Sequence, residues 1–143
     1  MQHKTLEQLQ QVASLHRDDA PQAMSRRQRL KRWAEVLGQE PGRLLSTLPG
    51  TEYQPAELRK EMRSPGSALS VAFEDPILRA QGLESDSYGE AQRFFDLTDW
   101  QMHEILCFCH HGSRAEAHEI VRRVRNAIWS PGASGVLAWL GNR

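Results

Sequence analysis

Three residues that could bind a metal or carry out thiol chemistry follow one another at a spacing of four, namely His103, Cys107 and His111. Because an α-helix turns once every 3.6 residues or so, side chains four apart share one face. Imidazole and thiolate are ligands that zinc accepts, and helical residues at this spacing chelate zinc in known motifs. The spacing therefore predicts a zinc site as one hypothesis. A structural site needs a fourth ligand, for which His118 is a candidate, although we expect it to point elsewhere.

The same residues allow a thiol hypothesis, because a histidine one turn from Cys107 could lower the pKa of the thiol and act as a base. No family signature surrounds this cysteine, and no carboxylate pair is marked out for acid–base chemistry. There is no Cys-x-x-Cys pair and no zinc-finger spacing either. We therefore favour a non-catalytic protein without a cofactor and keep zinc as the alternative.

The helix that must position these residues is predicted over 99–111. Thr98 and Gln101 fit a capping box, and Gly112 is a typical stop. Helical periodicity places Cys109 on the apolar core face and Cys107 on the opposite face. We therefore predict a buried Cys109 and an outward-facing Cys107.

A second capping box, Ser25 with Gln28, predicts a helix that runs to Leu37 and stops at Gly38. Its apolar face consists of Leu30, Trp33, Ala34 and Leu37. Basic residues crowd its first turns, where the helix dipole disfavours cations, and this indicates a partner for them. The basic residues are Arg26, Arg27, Arg29, Lys31 and Arg32.

A third capping box, Ser113 with Glu116, predicts a helix over 114–129. With the helix before it, this helix would form an αα-hairpin over 98–129. Its outer face combines basic and aromatic side chains at helical spacing: His118, Arg122, Arg125 and Trp129.

The rest of the chain indicates shorter elements around these helices. Prolines divide residues 40–82 and predict short helices at 41–48, 55–63 and 76–81, with 67–73 as an extended linker or one more helical turn. A further helix is expected at 87–95. We predict an all-α fold with a helical arm at 1–24 and one compact domain of six or seven helices at 25–143.

Bulk properties narrow the functional class. The chain of 143 residues has a formal net charge of zero, only two cysteines and a polar N-terminal stretch. No apolar run reaches the roughly 18 residues of a membrane span. These features favour a cytoplasmic protein that does not bind membranes.

The preferred functional hypothesis is a small helical adaptor or regulatory protein that acts by contacting another protein; a homo-oligomer is left open. Trp100, Trp129 and Trp139 are candidate interface residues, since exposed tryptophan is enriched at binding hot spots. The predicted partner-binding residues are Arg26, Arg27, Arg29, His118, Arg122, Arg125 and Trp129. The first alternative is a nucleic-acid-binding regulator that uses the basic residues at 26–32 and 114–125. The second is a metal- or thiol-dependent protein that uses His103, Cys107 and His111.

Overall fold

A computed structural model describes residues 22–48, 50–107 and 114–135, and within them the predicted all-α class is confirmed. These ranges hold seven α-helices, a 3-10 turn at Thr51–Tyr53 and one two-stranded sheet. None of the described helices has the length and apolar character needed to cross a bilayer. The helices are α1 (Arg26–Gly38), α2 (Ala56–Arg59), α3 (Ala68–Glu74), α4 (Pro76–Ala80), α5 (Tyr88–Phe95), α6 (Asp99–Leu106) and α7 (Ala117–Ile128), and the strands are β1 (Leu44–Ser46) and β2 (Arg114–Glu116).

Helix α1 packs chiefly against α7, although the two are far apart in the chain. The predicted capping box at its start is present: the Gln28 amide donates to the Ser25 hydroxyl, and the Ser25 amide donates to the Gln28 side chain. All four predicted core residues of α1 are buried. Local capping and apolar spacing thus suffice to define this helix.

An aromatic stack lies at the centre of the core. The rings of Trp33 and Phe95 stack with centroids 4.3 Å apart, and the Trp33 indole N–H donates to the carbonyl of Ala68 at 2.9 Å. Burying an indole with its one donor satisfied gives a large apolar contribution without an unpaired polar group. The stack therefore joins α1, α3 and α5.

The sheet corrects two predictions, since residues 44–46 form a strand inside the predicted helix 41–48, and the predicted helix 114–129 begins at Ala117. The strands are antiparallel, with buried Leu45 opposite buried Ala115. The first amides of α7 donate to carbonyls across the fold, Ala117 to Arg43 at 2.9 Å and His118 to Pro41 at 3.0 Å. These tertiary bonds take the place of a side-chain cap, which α7 does not have.

Helix α6 begins as predicted, with the Thr98–Gln101 capping box present, but it ends at Leu106 rather than at His111. The Leu106 carbonyl accepts a hydrogen bond from the Leu48 amide at 2.8 Å, so a neighbouring segment satisfies the helix end. Helices α6 and α7 contact each other as the predicted hairpin over 98–129 requires, but strand β2 lies in the connection between them.

Residues 67–73 were expected to form an extended linker or one more helical turn, and most of them belong to helix α3. Helix α5 lies within the predicted range 87–95. The predicted N-terminal arm falls outside the described residues, apart from a short stretch before α1. Cys109, His111, Ser113 and Trp139 also lie outside them.

Candidate functional site

The prediction that Cys107 faces outward is wrong. Its side chain is fully buried, and its sulfur lies 2.7 Å from the Thr51 hydroxyl oxygen. The physical reason is the early end of α6: Cys107 is the C-cap residue, and the turn at Thr51–Tyr53 contacts it there. A buried thiol behaves as a small apolar side chain, and its low accessibility opposes nucleophilic chemistry.

Three of the candidate zinc ligands, His103, Cys107 and His118, lie within the described residues. Within the described ranges, no group of three or more His, Cys, Asp or Glu side chains is arranged to hold a metal ion. The ring of His103 stacks against Trp100, with centroids 5.5 Å apart. His118 pairs instead with Glu116, its neighbour on β2. The third predicted ligand, His111, lies outside the described residues.

Arg26, one of the predicted partner-binding residues, reaches into the fold. Its guanidinium donates to three backbone carbonyls, those of Asp96 at 2.9 Å, Ser130 at 3.0 Å and Ala127 at 3.2 Å. Burial lowers the pKa of Arg26, and the nearby Asp96 carboxylate partly offsets this. The side chain therefore ties the start of α1 to the ends of α5 and α7.

Arg29, like Arg26, contacts residues within the fold. It donates to the Phe94 carbonyl at 2.8 Å, and its guanidinium carbon lies 4.2 Å from the centre of the Phe94 ring. Burial, followed by the nearby Arg93, lowers the pKa of Arg29. The crowding of cations in the first turns of α1 is thus explained in part by partners within the chain.

The side chain of Arg27, unlike those of Arg26 and Arg29, lies on the outside of the molecule against Trp129. The guanidinium carbon of Arg27 lies 4.5 Å from the centre of the Trp129 ring, a cation–π contact. Trp129 is 73% exposed, the most exposed tryptophan in the described ranges. Two of the predicted partner-binding residues are therefore in direct contact on the outside of the molecule.

Two grooves lie along α1 and α7, and the first of them begins at Trp129. The first, of about 320 Å³, is lined by Lys31, Ala34, Glu35, Arg125, Ile128 and Trp129. The second, of about 490 Å³, is lined by Gly38, Pro41, His118, Val121, Arg122, Arg125 and Asn126. Because Arg125 borders both, the grooves adjoin. We call the exposed residues Arg27, Lys31, His118, Arg122, Arg125 and Trp129 the α1–α7 surface.

Carboxylates interrupt the positive charge of the α1–α7 surface. Arg122 donates to Glu119 at 2.5 Å, and His118 lies between Glu116 and Glu119. Glu35 borders the first groove beside Lys31. The surface is therefore a mixture of cations, carboxylates and one large aromatic ring rather than a continuous basic track.

A separate cleft of about 330 Å³ lies on α6 and was not predicted from the sequence. It is lined by Thr51, Arg59, Tyr88, Asp99, Trp100 and His103. Four segments line it, and the first amides of α5 join two of them by donating to the carbonyls of Met62 and Lys60, just after α2, both at 2.9 Å. The sequence signal for it was weak: Trp100 was a candidate interface residue, but its neighbours in the cleft come from distant positions.

The cleft contains one ion pair and one buried tyrosine. Arg59 and Asp99 form an ion pair at 3.4 Å, and Asp99 also accepts from the Gln92 amide group at 2.8 Å. Burial raises the pKa of Tyr88 to about 12, with a hydrogen bond from Arg59 acting in the opposite direction. The Tyr88 hydroxyl therefore stays protonated at neutral pH.

Comparison with known proteins gave no match: no family model fits the chain, and no curated protein or solved structure is significantly similar to it. Any function proposed for the chain therefore rests on the geometry of its own residues.

Proposed function

We propose that the protein is a non-catalytic adaptor or regulator that binds an acidic segment of another protein through the α1–α7 surface. The observation that carries this proposal is the exposed contact between Arg27 and Trp129, beside Lys31 and Arg125. Tryptophan and arginine are the side chains most enriched at interface hot spots. Here they come from two helices that pack firmly on each other, so the surface is preorganised.

The charge pattern supports a protein partner over a nucleic acid. A phosphate backbone is best met by a continuous row of cations, whereas Glu35, Glu116 and Glu119 interrupt this surface. The formal net charge of zero supplies no general attraction to a polyanion. An acidic peptide with apolar residues could place carboxylates on Arg125 and Lys31 and an apolar side chain against Trp129.

The interaction is proposed for the cytoplasm, on the basis of the low cysteine content. A second copy of the chain is a less favoured partner, because the cations of this surface outnumber its carboxylates and two copies would bring like charges together. Light scattering over a concentration series would detect such self-association.

The test is fluorescence polarisation with four labelled probes: a peptide of alternating acidic residues and leucine, its basic counterpart, single-stranded RNA and duplex DNA. We expect the acidic peptide alone to bind at about 0.15 M salt. Arg27→Ala and Trp129→Ala should each weaken its binding about tenfold, as expected for a hot-spot residue.

The matched control is Trp100→Ala, which removes the other highly exposed tryptophan, 65% exposed on α6. It should leave binding of the acidic peptide unchanged. Tight binding of RNA or DNA with a steep dependence on salt would contradict the proposal and favour the nucleic-acid alternative. Equal losses in Trp100→Ala and Trp129→Ala would show that the effect is not specific to the α1–α7 surface.

A further inference from the structure

The cleft on α6 has the properties of a small-molecule site and is separate from the α1–α7 surface. Its volume of about 330 Å³ falls at the lower end of the range of roughly 300–1,000 Å³ that ligand pockets occupy. Such pockets combine mainly apolar walls with a few fixed polar groups. Here the aromatic rings of Tyr88, Trp100 and His103 supply walls, and Arg59 and Thr51 supply polar atoms.

The polar groups of the cleft are held in place without a ligand. Arg59 is bound at both terminal nitrogens, to the Asp99 carboxylate at 3.4 Å and to the Gln54 carbonyl at 3.3 Å. Its side chain is only 19% exposed, and Tyr88 is 2% exposed. Side chains fixed in this way lose little conformational entropy when a ligand binds, which favours binding.

The charges indicate what kind of ligand fits. Arg59 and Asp99 bear opposite charges and are paired with each other, so together they add no net charge to the cleft. The most accessible aromatic wall is Trp100, which is 65% exposed and already stacks on His103 with an angle of 26° between the rings. A flat, uncharged ring could extend this stacking and bury apolar area on both partners.

We propose that this cleft binds an uncharged, planar aromatic molecule of one or two rings, with Trp100 as the principal contact. The ring lies against the Trp100 indole, and a polar edge of the ligand faces Tyr88 and Arg59. The volume of the cleft matches one or two rings, and the internal ion pair leaves no net charge to recruit an ionic compound.

The test uses indole as the probe, with indole-3-acetate and tryptamine as its negatively and positively charged analogues. Binding is followed by two-dimensional NMR of the 15N-labelled full chain, in which each tryptophan gives its own indole N–H signal. We expect saturable binding of indole that shifts the Trp100 signal and leaves the Trp129 signal in place. Neither charged analogue should bind more tightly than indole, and salt should have little effect.

Trp100→Ala should weaken indole binding by at least about tenfold, since it removes the main stacking surface. Its side chain is exposed, so the variant should keep the circular dichroism spectrum of the native protein. Trp129→Ala is the matched control and should bind indole as the unaltered chain does.

Three results would overturn the proposal. The first is equal weakening by Trp100→Ala and Trp129→Ala, which would mean that indole binds exposed rings without selectivity. The second is salt-sensitive binding of a charged analogue more than about tenfold tighter than that of indole. The third is binding of a tryptophan-containing peptide more than about tenfold tighter than that of indole, which would assign the cleft to a protein ligand.

Discussion

Arg32 and Asp75 form a bidentate ion pair that joins α1 to the start of α4. The Arg32 Nε and Nη2 atoms donate to the two Asp75 carboxylate oxygens at 3.0 Å and 2.7 Å. Asp75 also caps α4 by accepting from the Leu78 amide at 3.1 Å. Its side chain is 3% exposed, so the carboxylate depends on these donors rather than on water.

Asp75→Ala should lower the free energy of unfolding by about 3 kcal/mol, because it leaves Arg32 without its buried partner and removes the cap of α4. The measurement is urea unfolding followed by tryptophan fluorescence. Glu35→Ala is the control: Glu35 lies 3.8 Å from Arg32 but is 65% exposed, so its loss should change stability by less than about 0.5 kcal/mol. Similar losses in the two variants would contradict the role assigned to Asp75.

The same pair predicts a dependence of stability on acid. The hydrogen bond from Arg32 lowers the pKa of Asp75 below its ordinary value of 3.8. The unfolded chain therefore binds a proton at this carboxyl before the folded chain does, and the contribution of Asp75 is lost as the pH falls below 3.8. Unfolding measured from neutral pH down through this range should lose stability less steeply in Asp75→Asn than in the unaltered chain. Parallel curves would rule out this linkage.

Arg26 and Arg27 are adjacent in sequence but should differ in what their loss affects. Arg26→Ala removes the donor for three backbone carbonyls and should cost about 2 kcal/mol of stability. Arg27→Ala removes an exposed cation–π contact and should cost only about 0.5 kcal/mol. Chemical unfolding of both variants tests this difference, and the proposed acidic-peptide binding should respond mainly to Arg27. A larger stability loss for Arg27 would reverse the assignment.

Gly132 allows the close approach of backbone on which the Arg26 contacts depend. An added Cβ at this position would overlap the Asp96 carbonyl oxygen and lie 2.6 Å from Arg26 Nε. Gly132→Ala should therefore displace both groups and cost about 2 kcal/mol or more, measured by thermal unfolding. Gly42→Ala is the control, because no heavy atom lies within 4 Å of the Cβ it would add. Equal stability of the two variants would contradict the close approach of Gly132 to Asp96 and Arg26.

Cys107 should react slowly with thiol reagents in the folded protein. Its side chain is fully buried and its sulfur contacts Thr51. In Cys109→Ser, where Cys107 is the one remaining cysteine, labelling by a disulfide reagent should be at least about 100-fold slower in buffer than in urea, because reaction requires local opening. Rapid labelling of the folded variant would restore the thiol-enzyme hypothesis.

Local rules predicted the elements whose determinants lie within a few residues. The capping boxes at Ser25 and Thr98 and the buried face around Trp33 depend only on neighbours along the chain, and they are present. Strand β2 depends on pairing with β1, and such a distant partner leaves no local pattern in a three-residue strand.

The candidate sites were predictable to different degrees for the same reason. The exposure of Trp129 and Arg125 followed from helical spacing within α7. The inward direction of Arg26 and the burial of Cys107 are set by contacts with Ser130 and Thr51, which periodicity does not detect. The cleft around Trp100 is assembled from several segments, so no single stretch of sequence predicts it.

The pairing of β1 with β2 bears on how the protein is completed during synthesis. Leu45 leaves the ribosome well before Ala115, its opposite residue, and α1 is likewise made before α7, its main packing partner. Contacts between such distant segments form late, because the entropy cost of closing the loop between them comes first. A nascent chain therefore leaves the part of α1 that packs on α7 uncovered until α7 has been translated, and we expect chaperones to bind it during that interval.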